Sequence, residues 1–573
     1  MLQRFLFAFA LIALLAAARA PLAAQPRFGK AIEEKITKQG LNSAGVFLRV
    51  YHRGKAESIL GVLYNTGLNE DQRSQVLWRA GLTRDQIMTL YSAASADGFK
   101  GAVKSFTTFK VDPEEVLKSL CLALIREYDV RTAISFVMQR EGLTEELLNE
   151  ALELPYNGWE LGSAPAGELT GKLSKLEEVD VLHLWGLPRQ RGYAYGKLMA
   201  KAIMSFVNKH VLTDAMDGAV GDIPWDAICD GQYLRFDFEP SYLEEVKGML
   251  LAMQEELSEK ERTVAKYNRL LRLADLLSLQ SSGDWAGIYG SAIGTRADDL
   301  NLVGRNLDTR YDDNNEIFKR PLWLVIEPDK KTEKGQGAYA TLTCAGFICG
   351  YVGFSQNGAF AMLQDGDGEM LDKLHCQPRA LLMRKALQKC QGASRFPEEL
   401  SSLLEKQNVA RGAIIMAGGK KSRPPYVVAE LDGNHDAGKG VEFRALSLEA
   451  GKNTLTAANM FEQRYKEVRE TYWKQQAEKN KDFELPAYVV GSRERVKKLN
   501  EASRNKEITD VESLFGALKK VEFKGQGRVT TINAFVIDAD HGMVHVKLGQ
   551  NRYAGAHAVQ SRKFELEKLF PRP

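Results

Sequence analysis

Four polar residues in one stretch of the chain have side chains suited to acyl chemistry. Ser281 and Ser282 open the stretch SSGDWAGIYGSAIGTRADDLNLVGRNLD, and Arg305 and Asp308 lie near its end. A serine hydroxyl attacks an acyl carbon when a neighbouring base takes its proton, and fixed donors then stabilise the oxyanion. Because the stretch contains no cysteine, serine is the nucleophile that it offers for such a reaction.

The positions of Arg305 and Asp308 restrict how they can cooperate. The stretch is typical of two strands joined in a hairpin, and the two residues are an odd number of positions apart. Their side chains would therefore point to opposite faces of a regular strand. For both to serve one site, a turn or bulge must intervene. Taken alone, the same segment is also explained by a surface hairpin that ends in a polar turn.

The region that precedes this stretch begins with a helical part. Apolar residues recur at helical spacing from about 55 to 155. Asn69, Thr83 and Thr144 stand where helix N-caps belong, with acidic residues in the turn that follows each of them. We therefore expect residues 25–160 to form a helical N-terminal domain.

A linker separates this part from the rest of the chain. Residues 155–172 are rich in Gly, Pro and small polar residues. The next segments, VDVLHLWG and RQRGYAYGKLMAKAIMSFVNKH, predict a strand and a helix, and further helices extend to Gln280. Gly192 and Gly196 lie four apart on one face of the first helix, which allows a neighbouring element to approach closely. We expect residues 161–573 to form the second domain.

Beyond residue 281 the pattern predicts mostly strands. Segments rich in β-branched and aromatic residues alternate with polar turns, and Cys344 and Cys349 fall within one such strand pair. Two helices interrupt the strands, a third begins at an N-capping Thr509, and the last hairpin turns at 540–542. This order of elements implies an α+β layer structure with two sheets between helices.

The first 24 residues have the layout of a secretory signal. Arg4 precedes an apolar run, and small residues follow the run up to Ala24. A membrane anchor is the alternative, but the run is shorter than the roughly 20 residues that span a bilayer. We expect cleavage after Ala24 and a secreted or periplasmic protein without stable membrane insertion.

Charge and cysteine content limit the partners. The 77 basic and 74 acidic residues give a formal net charge of +3, which calls for no nucleic acid and no anionic membrane. The six cysteines form no CxxC pair, and no HExxH motif or Gly-rich phosphate loop is present. We expect no metal and no cofactor, and the sequence leaves the oligomeric state open.

Six segments occur in an order that resembles a known family. They are RGYAYGKL, YLEEVKG, GSAIGTRADDLNLVGRNLD, GFSQNGAFAM, PPYVVAELDG and TLTAANMFEQR. In this order, residues 175–573 resemble the isopenicillin N acyltransferase-like and phospholipase B-like N-terminal nucleophile (Ntn) hydrolases. The resemblance implies a four-layer αββα Ntn hydrolase fold for residues 161–573, preceded by the helical N-terminal domain.

The resemblance also implies roles for individual residues. In that family the precursor cuts its own chain, and the freed N-terminal residue supplies both the nucleophile and the α-amine that acts as base. Such an amine has a pKa of about 7.7 to 8.0, so it accepts a proton near neutrality. By resemblance, Asp308 binds the amine, Arg305 lines the site, and Asn459 donates to the oxyanion through its side-chain amide. Ala458 and Met460 replace the family's threonine and histidine on either side of Asn459.

The family's nucleophilic cysteine would fall near Gly283, which cannot do the chemistry. Ser281 or Ser282 would take its place, depending on a slip of one residue. The family's linker before the cysteine is nearly absent here, as expected of a lineage that stopped processing itself. Two functions stay open on this evidence. The chain is either an exported hydrolase or acyltransferase for an amide or ester of a small acylated compound, or a non-catalytic relative that serves as a binding or scaffold protein.

Overall fold

The computed structural model describes residues 60–109, 161–212 and 236–570, together with the isolated positions 116, 225, 228 and 229. The gaps within these ranges are 61–62, 64–67, 69, 298–299, 313, 367–375, 391, 406, 432–440, 447–452, 463–469, 471–473, 475–477, 479–486 and 524–528. The signal-like segment and the proposed caps Asn69 and Thr144 lie outside the described residues. Within the described ranges, no helix combines the length and the apolar character needed to cross a membrane.

The chain divides into two compact units, residues 1–160 with 226–235, and residues 161–225 with 236–573. The first contains the helices α1 (Glu70–Arg79) and α2 (Arg84–Thr108). Thr83 caps α2 as predicted, because its hydroxyl accepts from the Gln86 N–H at 3.3 Å and the Gln86 side chain accepts from the Thr83 N–H at 2.8 Å. That residues 25–160 fold as an independent domain stays a prediction.

In the described part of the second unit, strands form two large sheets. The strands are β1 (Gly171–Leu176), β2 (Val179–Gly186), β3 (Thr263–Val264), β4 (Arg269–Leu270), β5 (Tyr289–Ala297), β6 (Leu300–Arg310), β7 (Leu322–Pro328), β8 (Tyr339–Thr343), β9 (Val352–Ser355), β10 (Ala359–Asp365), β11 (Ala413–Gly419), β12 (Tyr426–Leu431), β13 (Val441–Ala445), β14 (Thr454–Ala457), β15 (Val529–Asp538), β16 (Met543–Leu548) and β17 (Arg562–Glu565). The nine-stranded sheet has the order β1-β2-β7-β8-β9-β10-β11-β12-β13, and the six-stranded sheet has the order β14-β5-β6-β15-β16-β17. Strands β3 and β4 pair separately, and β2 runs parallel to β7.

The helices of this unit lie between and after the strands. They are α3 (Pro188–Phe206), α4 (Pro240–Glu256), α5 (Leu273–Gln280), α6 (Ser282–Ala286), α7 (Glu316–Lys319), α8 (Arg379–Lys389), α9 (Phe396–Leu404), α10 (Ala487–Arg504), α11 (Val511–Lys519) and α12 (Leu566–Leu569). A π-helical turn at Val207–Val211 extends α3. Together with the two sheets, these helices give the unit the α+β composition that the sequence predicts.

A hydrophobic core lies between the two sheets. Val325 of the nine-stranded sheet and Val303 and Phe535 of the six-stranded sheet belong to one buried cluster. The Trp323 ring packs edge-on against the Phe564 ring, with 5.3 Å between centroids. The apolar alternation of these strands therefore places their inward residues against the opposite sheet.

Helices contact strands of both sheets. Ile293 and Leu302 of the six-stranded sheet pack with Leu499 of α10 and Leu514 of α11 in a second buried cluster. Helices α3, α8 and α9 contact strands of the nine-stranded sheet. The hairpin β5–β6 consequently has one face toward the other sheet and one face toward α10 and α11.

The glycine pair of α3 packs as predicted. A Cβ atom on Gly192 would lie 1.7 Å from the carbonyl oxygen of Glu245 in α4, and one on Gly196 would lie 2.4 Å from that of Met249. Both distances are far below any tolerated contact, so glycine is required where α3 and α4 cross.

Three local predictions differ from the structure. Ser282 lies in the short helix α6 and not in a strand, because β5 begins only at Tyr289. Cys344 and Cys349 lie in the connection between β8 and β9 and not within those strands. Helix α11 is capped by Asp510 and not by Thr509, because the Asp510 carboxylate accepts from the Ser513 N–H at 2.8 Å.

Candidate functional site

The hairpin β5–β6 carries the GRNLD motif. Its pairing is continuous, with Tyr289 opposite Asp308 and Ala292 opposite Arg305. Ala292 belongs to the core between the sheets, so its partner Arg305 lies on that same face. The Arg305 guanidinium there donates to the carbonyl oxygen of Tyr351. Asp308, an odd number of residues away, lies on the opposite face.

The hairpin shows no turn or bulge between Arg305 and Asp308, and an irregularity lies instead in the neighbouring strand β15. Within β15, Thr531 pairs with Asp308 and Asn533 pairs with Leu307, so Ile532 is the extra residue of a bulge. Strand β6 itself continues without a shift in register. The bulge therefore sets the position of Thr531 beside Asp308 and does not turn Arg305 and Asp308 toward one another.

Asp308 is fully buried and only partly paired. The hydroxyl of Thr531 donates to its Oδ1 at 2.6 Å, while Oδ2 has no hydrogen-bond partner among the described residues. Burial raises the pKa of Asp308, against the opposing effects of the Thr531 hydrogen bond and the charges of Arg495 and Arg305. Oδ2 is thus a buried acceptor to which a donor would bind favourably.

Arg305 is also fully buried. Beyond its bond to Tyr351, its Nε and Nη2 atoms have no hydrogen-bond partner among the described residues. Burial lowers the pKa of Arg305 to about 9, and the nearby charge of Asp308 counteracts that effect. The guanidinium retains donors for a polar group that enters between the sheets.

Asn459 connects the start of β5 to helix α10. Its Nδ2 donates to the carbonyl oxygens of Ile288 at 3.1 Å and Asp365 at 3.3 Å. Its Oδ1 accepts from the Gly290 N–H at 3.0 Å and from Nη2 of Arg495 at 3.1 Å. To donate to an oxyanion, the Asn459 amide would therefore have to break its hydrogen bond to one of these two carbonyl oxygens.

Arg495 is a member of this cluster that the sequence did not indicate. It bonds Asn459, and its charge acts on the carboxylate of Asp308. Burial lowers the pKa of Arg495, and Asp308 opposes this shift. Its segment, AYVVGSRERVKKLNEASR, is rich in charged residues, and no pattern in it singles out one arginine.

The two candidate serines have different surroundings. The hydroxyl of Ser281 accepts from the Trp285 indole at 3.2 Å and lies 3.4 Å from the Ser278 carbonyl oxygen. The hydroxyl of Ser282 lies 3.4 Å from that of Tyr351. Ser282 lines a pocket whose wall also includes residues of both sheets, and Ser281 is not among the residues that line it.

This pocket is mainly apolar. Its apolar lining includes Phe206, Val211, Phe318, Leu342, Phe347 and Leu548. Tyr289, Thr309 and Arg310 of the hairpin also line it, as does Tyr351. Ser282 therefore lines the pocket together with apolar side chains and with residues of the β5–β6 hairpin, which carries the GRNLD motif.

A buried ion cluster holds the turn that contains Ser282. Arg379 donates through Nη2 to the Gly283 carbonyl at 2.6 Å and through Nε to Asp284 at 2.8 Å. Its Nη1 lies 2.9 Å from the carboxylate of Asp365. Burial raises the pKa of Asp284 despite the charge of Arg379. These contacts fix the backbone directly after the candidate nucleophile.

The structure thus places the predicted site residues in two groups. Ser282 belongs to the apolar pocket, and Arg305 bonds the backbone of Tyr351 in that same region. Asp308 and Asn459 belong to a cluster with Arg495 on the other face. Ser281 belongs to neither group. Its hydroxyl forms hydrogen bonds with Ser278 and Trp285. Their joint role in catalysis stays a prediction.

Comparisons with known proteins match parts of this chain. The chain matches no model of a protein family. Protein dcd1A of Dictyostelium discoideum is 28% identical over 220 residues, which are 33% of this chain and 45% of that protein. The match thus spans less than half the length of that relative.

The solved structures that match part of this chain include proteins named as an amidase, a hydrolase and an acylase. They include the N-acylethanolamine-hydrolyzing acid amidase ortholog of Caenorhabditis elegans (13% identity, TM-score 0.30) and a mutant of the conjugated bile acid hydrolase of Clostridium perfringens (13%, 0.31). A third is penicillin V acylase from Agrobacterium tumefaciens (13%, 0.30). Each covers 48% of this chain, and 99%, 93% and 91% of the respective structure is matched.

Proposed function

We propose that the second unit is an Ntn hydrolase or acyltransferase with a four-layer αββα fold, and that it cleaves an amide or ester of a small acylated compound. The core between two sheets and the helices that contact both sheets support the fold. The signal-like N-terminus supports export. The observation that carries the proposal is the position of the Ser282 hydroxyl, which lines an apolar pocket beside the β5–β6 hairpin.

Ser282 is the nucleophile in this proposal. Its hydroxyl attacks the carbonyl carbon of Ser281, so the peptide bond is exchanged for an ester and the nitrogen of Ser282 becomes an amine. Water then hydrolyses the ester, which leaves a carboxylate on Ser281 and a free hydroxyl on Ser282. The new α-amine acts as the base for the next substrate. The unpaired Oδ2 of Asp308 is an acceptor for that amine.

Intact mass spectrometry of the purified full-length protein tests the proposal. We expect two fragments that part between Ser281 and Ser282. The Ser282→Ala variant should stay in one piece, and the matched Ser281→Ala variant should still be cut. A fluorogenic anilide, 4-phenylbutanoyl-7-amino-4-methylcoumarin, should be hydrolysed by the wild type and not by Ser282→Ala. A folded wild-type chain that is never cut and never turns over the anilide would overturn the proposal.

A second candidate function is binding without catalysis. It is favoured by the helical turn α6, which contains Ser282, and by the donors of Asn459, which are already bonded to backbone carbonyls. In this case the pocket binds a ligand and the chain stays intact. The mass measurement separates the two candidates, because only the hydrolase requires a cut.

A further inference from the structure

Self-cleavage at Ser282 requires a proton to move before any free α-amine exists. In the proposed reaction the Oγ of Ser282 loses a proton, and the nitrogen of the same residue gains one. The base of the later turnovers, the α-amine of Ser282, is formed only by that first cut. A different group must therefore move the proton in the first step.

The hydroxyl of Tyr351 is in position to do this. It lies 3.4 Å from the Oγ of Ser282, and both residues line the same pocket. Among the side chains that the structure describes, no other forms a hydrogen bond with that oxygen. Because Oγ and the nitrogen belong to one residue, a group that contacts the first is also close to the second.

Tyr351 is held in place from two sides. Its carbonyl oxygen accepts from the guanidinium of Arg305 and from the Leu363 N–H, the latter at 2.8 Å. A Cβ atom on Gly283 would lie 3.0 Å from Cε1 of Tyr351, so the ring packs against the residue that follows Ser282. The hydroxyl is thus oriented before the reaction begins.

The protonation state of this hydroxyl limits what it can do. Burial raises the pKa of Tyr351, against the effect of its hydrogen bond with Ser282. The phenol therefore keeps its proton near neutrality and cannot remove a proton as a phenolate. A hydroxyl both donates and accepts, however, so it can take up one proton while it gives up its own.

The carbonyl group that Ser282 would attack already has hydrogen-bond donors. The carbonyl oxygen of Ser281 accepts from the Asp284 N–H at 2.8 Å and from the Trp285 N–H at 3.4 Å. The Nε of Arg379 fixes the Asp284 side chain at 2.8 Å. Negative charge that develops on this oxygen during attack meets donors that need not move.

We propose that Tyr351 is a catalytic residue of the self-cleavage step, in which its hydroxyl relays a proton from the Oγ to the nitrogen of Ser282. The inference rests on the proposed hydrolase function. As Oγ bonds to the carbonyl carbon of Ser281, its proton passes to the Tyr351 hydroxyl. The hydroxyl gives its own proton to the nitrogen, and the C–N bond breaks. Tyr351 ends as it began, and one proton has moved from oxygen to nitrogen.

The rate of self-cleavage tests the relay. The full-length chain is made by cell-free translation at pH 7, and intact mass spectrometry follows the ratio of cut to uncut chain over time. We expect Tyr351→Phe to cut about 100-fold more slowly than wild type, since general acid–base catalysis contributes at least that much. Tyr242→Phe is the matched control. It also removes a buried tyrosine hydroxyl, but from α4 and not from the pocket lining, and should cut at the wild-type rate.

The pH dependence separates a relay from a packing role. The relay takes no net proton from solvent, so the wild-type rate should change little between pH 6 and 9. In Tyr351→Phe hydroxide must remove the Ser282 proton, so the rate should rise about tenfold per pH unit. A Tyr351→Phe chain that is slow but keeps the wild-type pH profile would show that the ring only packs, and would overturn the relay.

Two further outcomes would overturn the inference and leave the proposed function standing. They are equal cleavage rates of wild type and Tyr351→Phe, and a wild-type rate that itself rises about tenfold per pH unit, as direct removal of the proton by hydroxide requires. The second measurement needs no variant, so a Tyr351→Phe protein that fails to fold leaves the test decisive. A folded wild-type chain that is never cut overturns the relay and the proposed function together.

Discussion

Tyr289, at the start of β5, lies directly opposite the buried Asp308 of β6 in the β5–β6 hairpin. Ser282 precedes it by seven positions and lies in the separate helix α6. The hydrolase hypothesis requires the amine of Ser282 to bond with the carboxylate of Asp308, and the binding hypothesis does not.

The first prediction concerns the charge of Asp308. Burial raises its pKa above the unfolded value of about 3.9. Its contribution to stability is therefore complete below that value and is lost as the pH rises through the folded pKa. Asp308→Asn removes this loss, so the free energy of unfolding at pH 7 should exceed that of the wild type by on the order of 1 kcal/mol. Near pH 3 the difference should vanish.

Urea denaturation at pH 3, 5 and 7 measures this effect. Asp329→Asn is the matched control, because hydrogen bonding to Thr332 lowers the pKa of that exposed carboxyl and the substitution should bring no gain at pH 7. A gain for Asp308→Asn that is independent of pH would contradict the electrostatic cause. If the chain is a hydrolase, Asp308→Asn should also slow turnover while the protein stays folded.

The second prediction concerns Asn459 as a buried connector. Asn459→Ala removes the side-chain partner of the Gly290 N–H and of the Ile288 and Asp365 carbonyls. The Ile288 carbonyl still accepts from the Asp365 N–H at 2.7 Å. Unpaired buried groups cost about 1 to 3 kcal/mol each, so we expect a loss of stability of about 2 to 4 kcal/mol. Asn357→Ala, at a turn where one side-chain bond to Cys390 is lost, is the control and should cost about 1 kcal/mol. Equal losses in thermal denaturation would refute the connector role.

The third prediction concerns the crossing of α3 and α4. Gly192→Ala places a methyl group 1.7 Å from the carbonyl oxygen of Glu245, and a backbone atom cannot move aside as a side chain can. We expect a loss of about 3 kcal/mol or more, or failure to fold. Gly516→Ala in α11 has open space around the new methyl group and should be neutral or slightly stabilising. A Gly192→Ala protein as stable as wild type in chemical denaturation would show that the helices separate easily.

Much of the architecture is predictable because it follows from local patterns. The strand at Val179–Gly186, the end of a helix at Gln280 and the small-residue packing of Gly192 come from periodicity and residue size. The cap at Thr83 comes from a hydroxyl followed three residues later by glutamine. Such features depend on neighbours in sequence, so one sequence is enough to find them.

The candidate site depends on contacts between residues that lie far apart in the sequence. Arg495 and Arg379 act through contacts with residues far along the chain, and no local signal marks either one. The bulge at Ile532 lies in a strand that the sequence cannot pair with β6. Ser282 is helical, although the residues before Tyr289 continue the spacing of a strand. Each of these features depends on contacts between residues far apart in the sequence. The spacing of apolar residues along the chain does not reveal such contacts.

The last prediction concerns the ion cluster that holds the turn after Ser282. Arg379→Met leaves the carboxylate of Asp284 buried without its cation, and also removes the bond to the Gly283 carbonyl. Breaking one partner of a buried pair costs about 3 to 5 kcal/mol. In the double variant Arg379→Met/Asp284→Asn no charge at position 284 is stranded, so a large part of that loss should return. Equilibrium denaturation of both variants and of the exposed control Arg562→Gln measures the difference. If the double variant is no more stable than Arg379→Met alone, the arginine acts on the turn through its other contacts, and Asp284 is not the group that it neutralises.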